Sequence, residues 1–117
     1  MSLQITKRPD GIAVLEWTEP VALDASNAAE LRTQVGGVLA GSSRLIFDMT
    51  RVDFVDSSII GALVGFLRRA QTGGGDVKLV GLSPNVETIF EVTRLQRVFS
   101  IHATVPAAVE EFGTTVS

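Results

Sequence analysis

Arg44-Leu45-Ile46-Phe47-Asp48-Met49 is a short apolar run beside turn-forming residues. A strand with one wet face alternates apolar and polar side chains. Continuous apolarity instead suits a strand covered on both faces, as in a parallel sheet. Parallel neighbours need crossover connections, and helical stripes flank the run on both sides. Ahead of it, Leu31, Val35, Val38 and Leu39 recur at spacings of 4, 3 and 1. Behind it, Ile60, Leu63, Val64 and Leu67 fill the i, i+3, i+4, i+7 pattern of a helix with one buried face. The chain is expected to be α/β.

The remaining elements extend this pattern. Gln4 to Lys7 and Ile12 to Trp17 flank Arg8-Pro9-Asp10-Gly11, in which proline presets φ and glycine accepts a positive one. An antiparallel hairpin is expected. Leu23-Asp24-Ala25-Ser26 opens the first helix with Asp24 or Ser26 as N-cap. Gly36-Gly37 weakens that helix by about 1 kcal/mol per glycine, so it either packs closely there or ends early. The second helix runs from Ser57 to about Gln71 and stops at Gly73-Gly74-Gly75. Val77 to Val80 is the next strand. Ser83-Pro84 starts a third helix, with Val86, Ile89 and Phe90 as its buried stripe. Phe99 to Ala103 is a last short strand. Thr104-Val105-Pro106 begins a final helix carrying Val109 and Phe112 and ended by Gly113. The order β-β-α-β-α-β-α-β-α implies right-handed crossovers and a single domain over residues 1–117.

Bulk properties narrow the function. At 117 residues the chain is sized for one domain and needs neither disulfide nor metal to fold. It has no cysteine, which removes disulfides, thiolate metal sites and thiol nucleophiles. The formal charge is −3 and the basic residues form no stripe, so nucleic acid is not an expected partner. The N-terminus turns polar too soon for a signal peptide. The apolar run Ile59 to Leu67 is too short to span a bilayer, so no membrane insertion is expected. A cytoplasmic domain that binds protein or a small ligand is the expectation.

The informative stretch is Val52-Asp53-Phe54-Val55-Asp56-Ser57-Ser58-Ile59-Ile60-Gly61-Ala62-Leu63. A strand ends in an acid and two hydroxyls, and a helix starts at once. One reading is capping, since small hydroxyl residues satisfy the orphan N–H groups of a helix start. The other is a switch. A hydroxyl there lies on an exposed corner, where the helix dipole tolerates an anion. A phosphate would carry close to −2 charge onto a docking surface without unfolding the domain.

Asp56-Ser57-Ser58-x-x-Gly61-x-Leu63, between an apolar strand and an amphipathic helix, resembles the phosphorylation motif of the STAS-domain anti-sigma factor antagonists. The resemblance extends over the chain: the hairpin, Leu23-Asp24, Gly74-Gly75, Leu82-Ser83-Pro84-Asn85-Val86 and Phe99. It implies a mixed, mostly parallel sheet of about five strands with four helices. It also implies that Ser57 is the phosphoacceptor and that Asp24 lies in the partner-binding region, together with Asp56, Ser58, Ile59 and Gly61 of the motif. Members of the family bind a serine-kinase anti-sigma factor when unphosphorylated. That kinase inactivates them with ATP, and a metal-dependent serine phosphatase restores them. The family's motif usually continues Ser-Ser/Thr-Gly-Leu-Gly, where this chain has Ile59-Ile60-Gly61. Ile59 adds a β-branched side chain in the first helical turn and is expected to narrow access to Ser57 or to alter partner choice. Ser58 keeps the reading of a cap or first-turn hydroxyl. Asp56 either orients the Ser57 hydroxyl or favours the helix N-terminus electrostatically, and the second is expected to be its main effect.

Other candidates carry less. His102, the only histidine, has no obvious acid beside it in sequence, and a lone histidine makes no Ser-His-Asp arrangement. Gly73-Gly74-Gly75 follows a helix and lacks the lysine of a phosphate loop. Asp48, Asp53 and Asp56 cluster in sequence but fall short of a metal site. Arg68-Arg69 and Glu110-Glu111 read as helix surface. No catalytic residue, metal ligand or cofactor is expected; the chain reads as a substrate of enzymes. Two further functions compete: an accessory STAS subunit of a lipid-transport ABC system, and a small-ligand sensor at the helix start near Ser57.

Overall fold

The computed structural model describes residues 1–114; residues 115–117 of the expected domain lie outside the described residues. In chain order, β1 (Leu3–Lys7), β2 (Ile12–Trp17) and β3 (Val21–Leu23) lead into α1 (Ala25–Leu39). Next come β4 (Arg44–Asp48), β5 (Val52–Val55), α2 (Ser57–Thr72) and β6 (Asp76–Val80). The chain then runs through α3 (Pro84–Val92), a single 3-10 turn at Leu95–Arg97, β7 (Ser100–His102) and α4 (Val105–Thr114).

The main sheet has five strands in the order β1-β2-β4-β6-β7. β1 and β2 form the expected antiparallel hairpin, Leu3 opposite Trp17 and Lys7 opposite Ala13. Gly11 closes its turn at φ +87°, a conformation that other residues enter only against a Cβ clash. β2, β4, β6 and β7 are mutually parallel. The expected mixed sheet with four helices is present. β3 and β5 depart from it, pairing parallel to each other as a separate two-stranded sheet. They are three and four residues long, too short to show a periodicity in sequence.

The apolar run of β4 serves two layers. Leu45 and Phe47 join Ala13, Leu15, Trp17, Val77 and Leu79 in the main core, packed beneath α1, α2 and α3. Ile46 points the other way and joins Ile12 and Val80 under Ala108 and Phe112 of α4. The period-2 pleat thus divides one sequence run between two helix layers. Phe47 is central. Its ring stacks on Trp17 at 6.3 Å and on Phe66 of α2 at 6.1 Å, an offset geometry worth about 0.5–1.5 kcal/mol per pair beyond burial.

Gly36-Gly37 neither packs closely nor ends α1. The helix runs through both to Leu39. A Cβ at Gly36 would meet only Arg69 Nη1 at 3.7 Å, and one at Gly37 would meet nothing within 4 Å. Gly75 does need to be glycine, because a Cβ there would sit 1.8 Å from the Ser43 carbonyl oxygen. α4 carries on past Gly113 to Thr114. Arg94, at φ 60°, turns the chain out of α3.

Lys78 of β6 points toward α4 in this otherwise apolar layer and is 2% exposed. Its Nζ donates to Glu111 Oε1 at 2.7 Å and Asp76 Oδ2 at 3.1 Å, 4.5 Å from the Phe112 ring centroid. A buried ammonium needs such partners. The bond from Lys78, then one from the Ser100 hydroxyl, hold the Glu111 carboxyl at about 2.

Two outcomes follow from this packing. Gly37→Ala, at an exposed helical site with open space, should raise stability by about 0.5–1 kcal/mol, read as a higher midpoint in denaturant titration. Glu111 has a folded value below its ordinary 4.5, so its contribution is complete above that range and is lost as pH falls toward 2. Glu111→Gln should cost about 2 kcal/mol at pH 7. That is less than the 3–5 of a fully buried pair, because Glu111 is 38% exposed. Its stability should also fall less steeply than the parent's between pH 5 and 2 in thermal melts.

Candidate functional site

The small β3–β5 sheet places two helix starts side by side. β3 runs into Asp24 and α1, β5 into Asp56 and α2, and the Asp56 amide donates to the Leu23 carbonyl at 3.2 Å. Of the two candidate caps of α1, the structure selects Asp24. Its Oδ1 accepts from the Ser26 amide at 2.9 Å and the Ser26 hydroxyl at 2.5 Å. Asn27 Oδ1 returns the favour by accepting from the Asp24 amide at 2.9 Å, completing a reciprocal capping box. Asn27 Nδ2 also donates to the Ala22 carbonyl at 3.1 Å, which ties the helix back to β3.

Asp56 is the N-cap of α2, a role that the sequence reading had offered to the serines. Its Oδ1 accepts from the Ile59 amide at 3.1 Å and the Ser58 hydroxyl at 2.6 Å. Its Oδ2 reaches across to the Ala25 amide at 3.0 Å, the first residue of α1. One carboxylate therefore joins both helix starts. The Ser58 hydroxyl bond holds Asp56 below the usual carboxylate range, with the Ile59 and Ala25 amides adding to it against partial desolvation. Asp56 is ionised at neutral pH.

The two serines differ. Ser58 is half-buried and spends its hydroxyl on Asp56. Ser57, the first residue of α2, is exposed, and its hydroxyl has no hydrogen bond among the described residues. Asp56 thus orients Ser58, not Ser57. Gly61 lies one turn on, exposed, and a Cβ there would touch nothing within 4 Å. Ile59 is the exception among the motif residues. It is 0% exposed and packed in the main core, so its branched side chain neither narrows access to Ser57 nor offers a surface to a partner. The helical period sends it inward where Ser57 and Gly61 point out. The sequence reading missed the Ala25 amide, which no pattern flags.

The structure also supplies the acid that His102 lacked in sequence. His102 Nε2 lies 3.1 Å from Glu111 Oε2 and 2.9 Å from Ser100 Oγ. A proton relay needs the two imidazole nitrogens to face hydroxyl and carboxylate separately. Here one nitrogen faces both, and the Ser100 hydroxyl donates to Glu111 Oε1 at 2.5 Å. Two surface clefts, of about 390 and 410 Å³, include no residue of the two helix starts among those that line them. Among the described residues, no group of three or more His, Cys, Asp or Glu is placed to hold a metal ion, and no helix is long and apolar enough to cross a membrane.

The STAS domain family model matches residues 4–108. The chain belongs to the STAS domain family. It is 30% identical over 71 residues to a Thermotoga neapolitana protein named as an anti-sigma factor antagonist. That alignment covers 61% of this chain and 63% of the relative's length. Its fold is similar to the crystal structure of an anti-sigma factor antagonist from Thermotoga maritima, with a TM-score of 0.83 and 25% identity over 94% of this chain and 93% of that one. The anti-sigma factor antagonist SpoIIAA in its unphosphorylated form superposes with a TM-score of 0.81 at 21% identity, over 99% of this chain and 100% of that one.

The capping role of Asp24 separates stability from binding. Asp24→Ala should cost about 1 kcal/mol in denaturant titration, and Asp24→Ser, which also caps, should recover most of it. A partner role for the carboxylate would show as a loss of affinity that Asp24→Ser fails to recover.

Proposed function

We propose that this STAS domain is an anti-sigma factor antagonist: a protein-binding switch that sequesters a serine-kinase anti-sigma factor while Ser57 is unphosphorylated. The observation that carries the reading is the unequal treatment of the two serines. The Ser58 hydroxyl is engaged by Asp56, whereas that of Ser57 is exposed and has no partner among the described residues. A kinase needs the second kind of hydroxyl. The names of the relatives support the class of function, and SpoIIAA, which shares the fold, has been solved in both unphosphorylated and phosphorylated forms.

The proposed mechanism is electrostatic and steric. Asp24, Asp56, Ser57, Ser58 and Gly61 form the docking surface, with Gly61 keeping its α2 side low. Phosphorylation puts close to −2 charge beside the ionised Asp56 carboxylate. The amide of Ile59 is already committed to Asp56, so α2 absorbs the new anion less fully than a bare helix start would. The domain stays folded while a partner fitted to a hydroxyl is repelled. A serine phosphatase resets the switch.

Ser57→Asp mimics the charge. It should stay within about 1 kcal/mol of the parent in stability, since aspartate is tolerated in a first helical turn. Binding to the anti-sigma factor should weaken at least tenfold, equivalent to about 1.4 kcal/mol. Ser57→Ala should bind as the parent does and take up no phosphate from the kinase and ATP. Melts, titrations and phosphosite mapping on the three proteins test this. Modification mainly at Ser58, or tight binding by Ser57→Asp, would sink the mechanism.

A further inference from the structure

Five of the six phenylalanines, Phe47, Phe66, Phe90, Phe99 and Phe112, are at most 7% exposed. Phe54 is 46% exposed. It lies on β5, three residues before Ser57, and its position is fixed from both sides. Val52 and Val55 are buried in the main core, and Asp56 is pinned by its bonds to Ala25, Ser58 and Ile59. Across the ladder Phe54 stands opposite Ala22, whose methyl is itself exposed and too small to cover a ring. The chain therefore holds a large apolar side chain partly in water on a backbone fixed on both sides.

The charge near it is mostly acidic, with Arg51 just before β5 and Arg94 just after α3 as the exceptions. Residues 9–31, which include β3 and the start of α1, contain no lysine or arginine, nor do residues 52–67 or α3, which packs against β5. The same segments carry Asp24, Asp53, Asp56, Glu87 and Glu91.

We infer that Phe54 is the apolar anchor of the docking surface, entering a hydrophobic pocket rimmed by lysine or arginine on the partner protein. This rests on the proposed switch and names what the partner must present. Aromatic side chains on rigid supports dominate interface energetics because they bring much area at little entropic cost. The basic rim complements Asp24 and Asp53 and sets orientation and salt dependence. A phosphate on Ser57 adds both charge and bulk beside the ring. It draws the partner's cations off the carboxylates and holds the phenyl group out of its pocket.

The test is titration of the cognate serine-kinase anti-sigma factor with the parent, Phe54→Ala, Phe54→Trp and, as a control, Ile5→Ala, whose side chain is 38% exposed on the edge strand. Phe54→Ala should keep its melting behaviour and bind at least tenfold more weakly, whereas Ile5→Ala should bind as the parent does. Phe54→Trp should retain binding, with its fluorescence shifting to the blue on complex formation against the constant signal of buried Trp17. Raising salt should weaken the parent complex. If Phe54→Ala binds as the parent does while Ser57→Asp does not, or if the tryptophan emission is unmoved in a formed complex, the anchor is wrong and the switch stands. If the parent itself binds no anti-sigma factor, both readings fall.

Discussion

Three donors meet the carboxylate of Asp56, and its backbone amide makes a fourth bond. Its side chain takes the Ile59 amide and the Ser58 hydroxyl on one oxygen and the Ala25 amide on the other, while its own amide donates to Leu23. Each helix start leaves several N–H groups without intrahelical partners, and here a single anion serves two of them. The contact is local for α2 and spans 31 residues for α1. It fixes where both helices begin, and with them the direction in which every nearby side chain points. Ser57 faces out and Ile59 faces in because the register of α2 starts at this cap.

The proposed docking corner is stiff for reasons that lie behind it. The main core stacks Trp17, Phe47 and Phe66 across two strands and α2, so the helix that carries Ser57 is anchored along its length by Ile59, Leu63, Phe66 and Leu67. A corner held this way changes its surface charge more readily than its shape. That suits the proposed switch, in which one added anion would alter recognition and leave the packed interior unaffected.

The opposite face is built on other terms. α4 covers a small apolar cluster of Ile12, Ile46 and Val80, and it is also held by Lys78, whose ammonium lies between Glu111 and Asp76. Replacing a buried ion pair by apolar side chains is often neutral or stabilising, whereas losing one partner is costly. The pair therefore fixes how α4 sits more than it adds stability. Lys78 also explains why β6 breaks the apolar run that β4 keeps whole.

Much of this was legible in the residues. Apolar runs, helical stripes and turn chemistry determined the α/β class, the opening hairpin and the four helices, because each rests on side-chain period and local φ preferences. The Asp-Ser-Ser motif at a strand-to-helix junction left capping and a switch open, and only its resemblance to a family motif pointed to the proposed site. Only the tertiary structure decided the rest. It paired β3 with β5, brought Glu111 to His102 and Lys78, and made Asp56 rather than a serine the cap shared by two helices. It buried Ile59 and left Phe54 in water, although both are apolar residues beside the same motif. Period and propensity act over a few neighbours, whereas burial and long-range hydrogen bonds depend on which distant segment arrives opposite, and no local pattern in the chain encodes that.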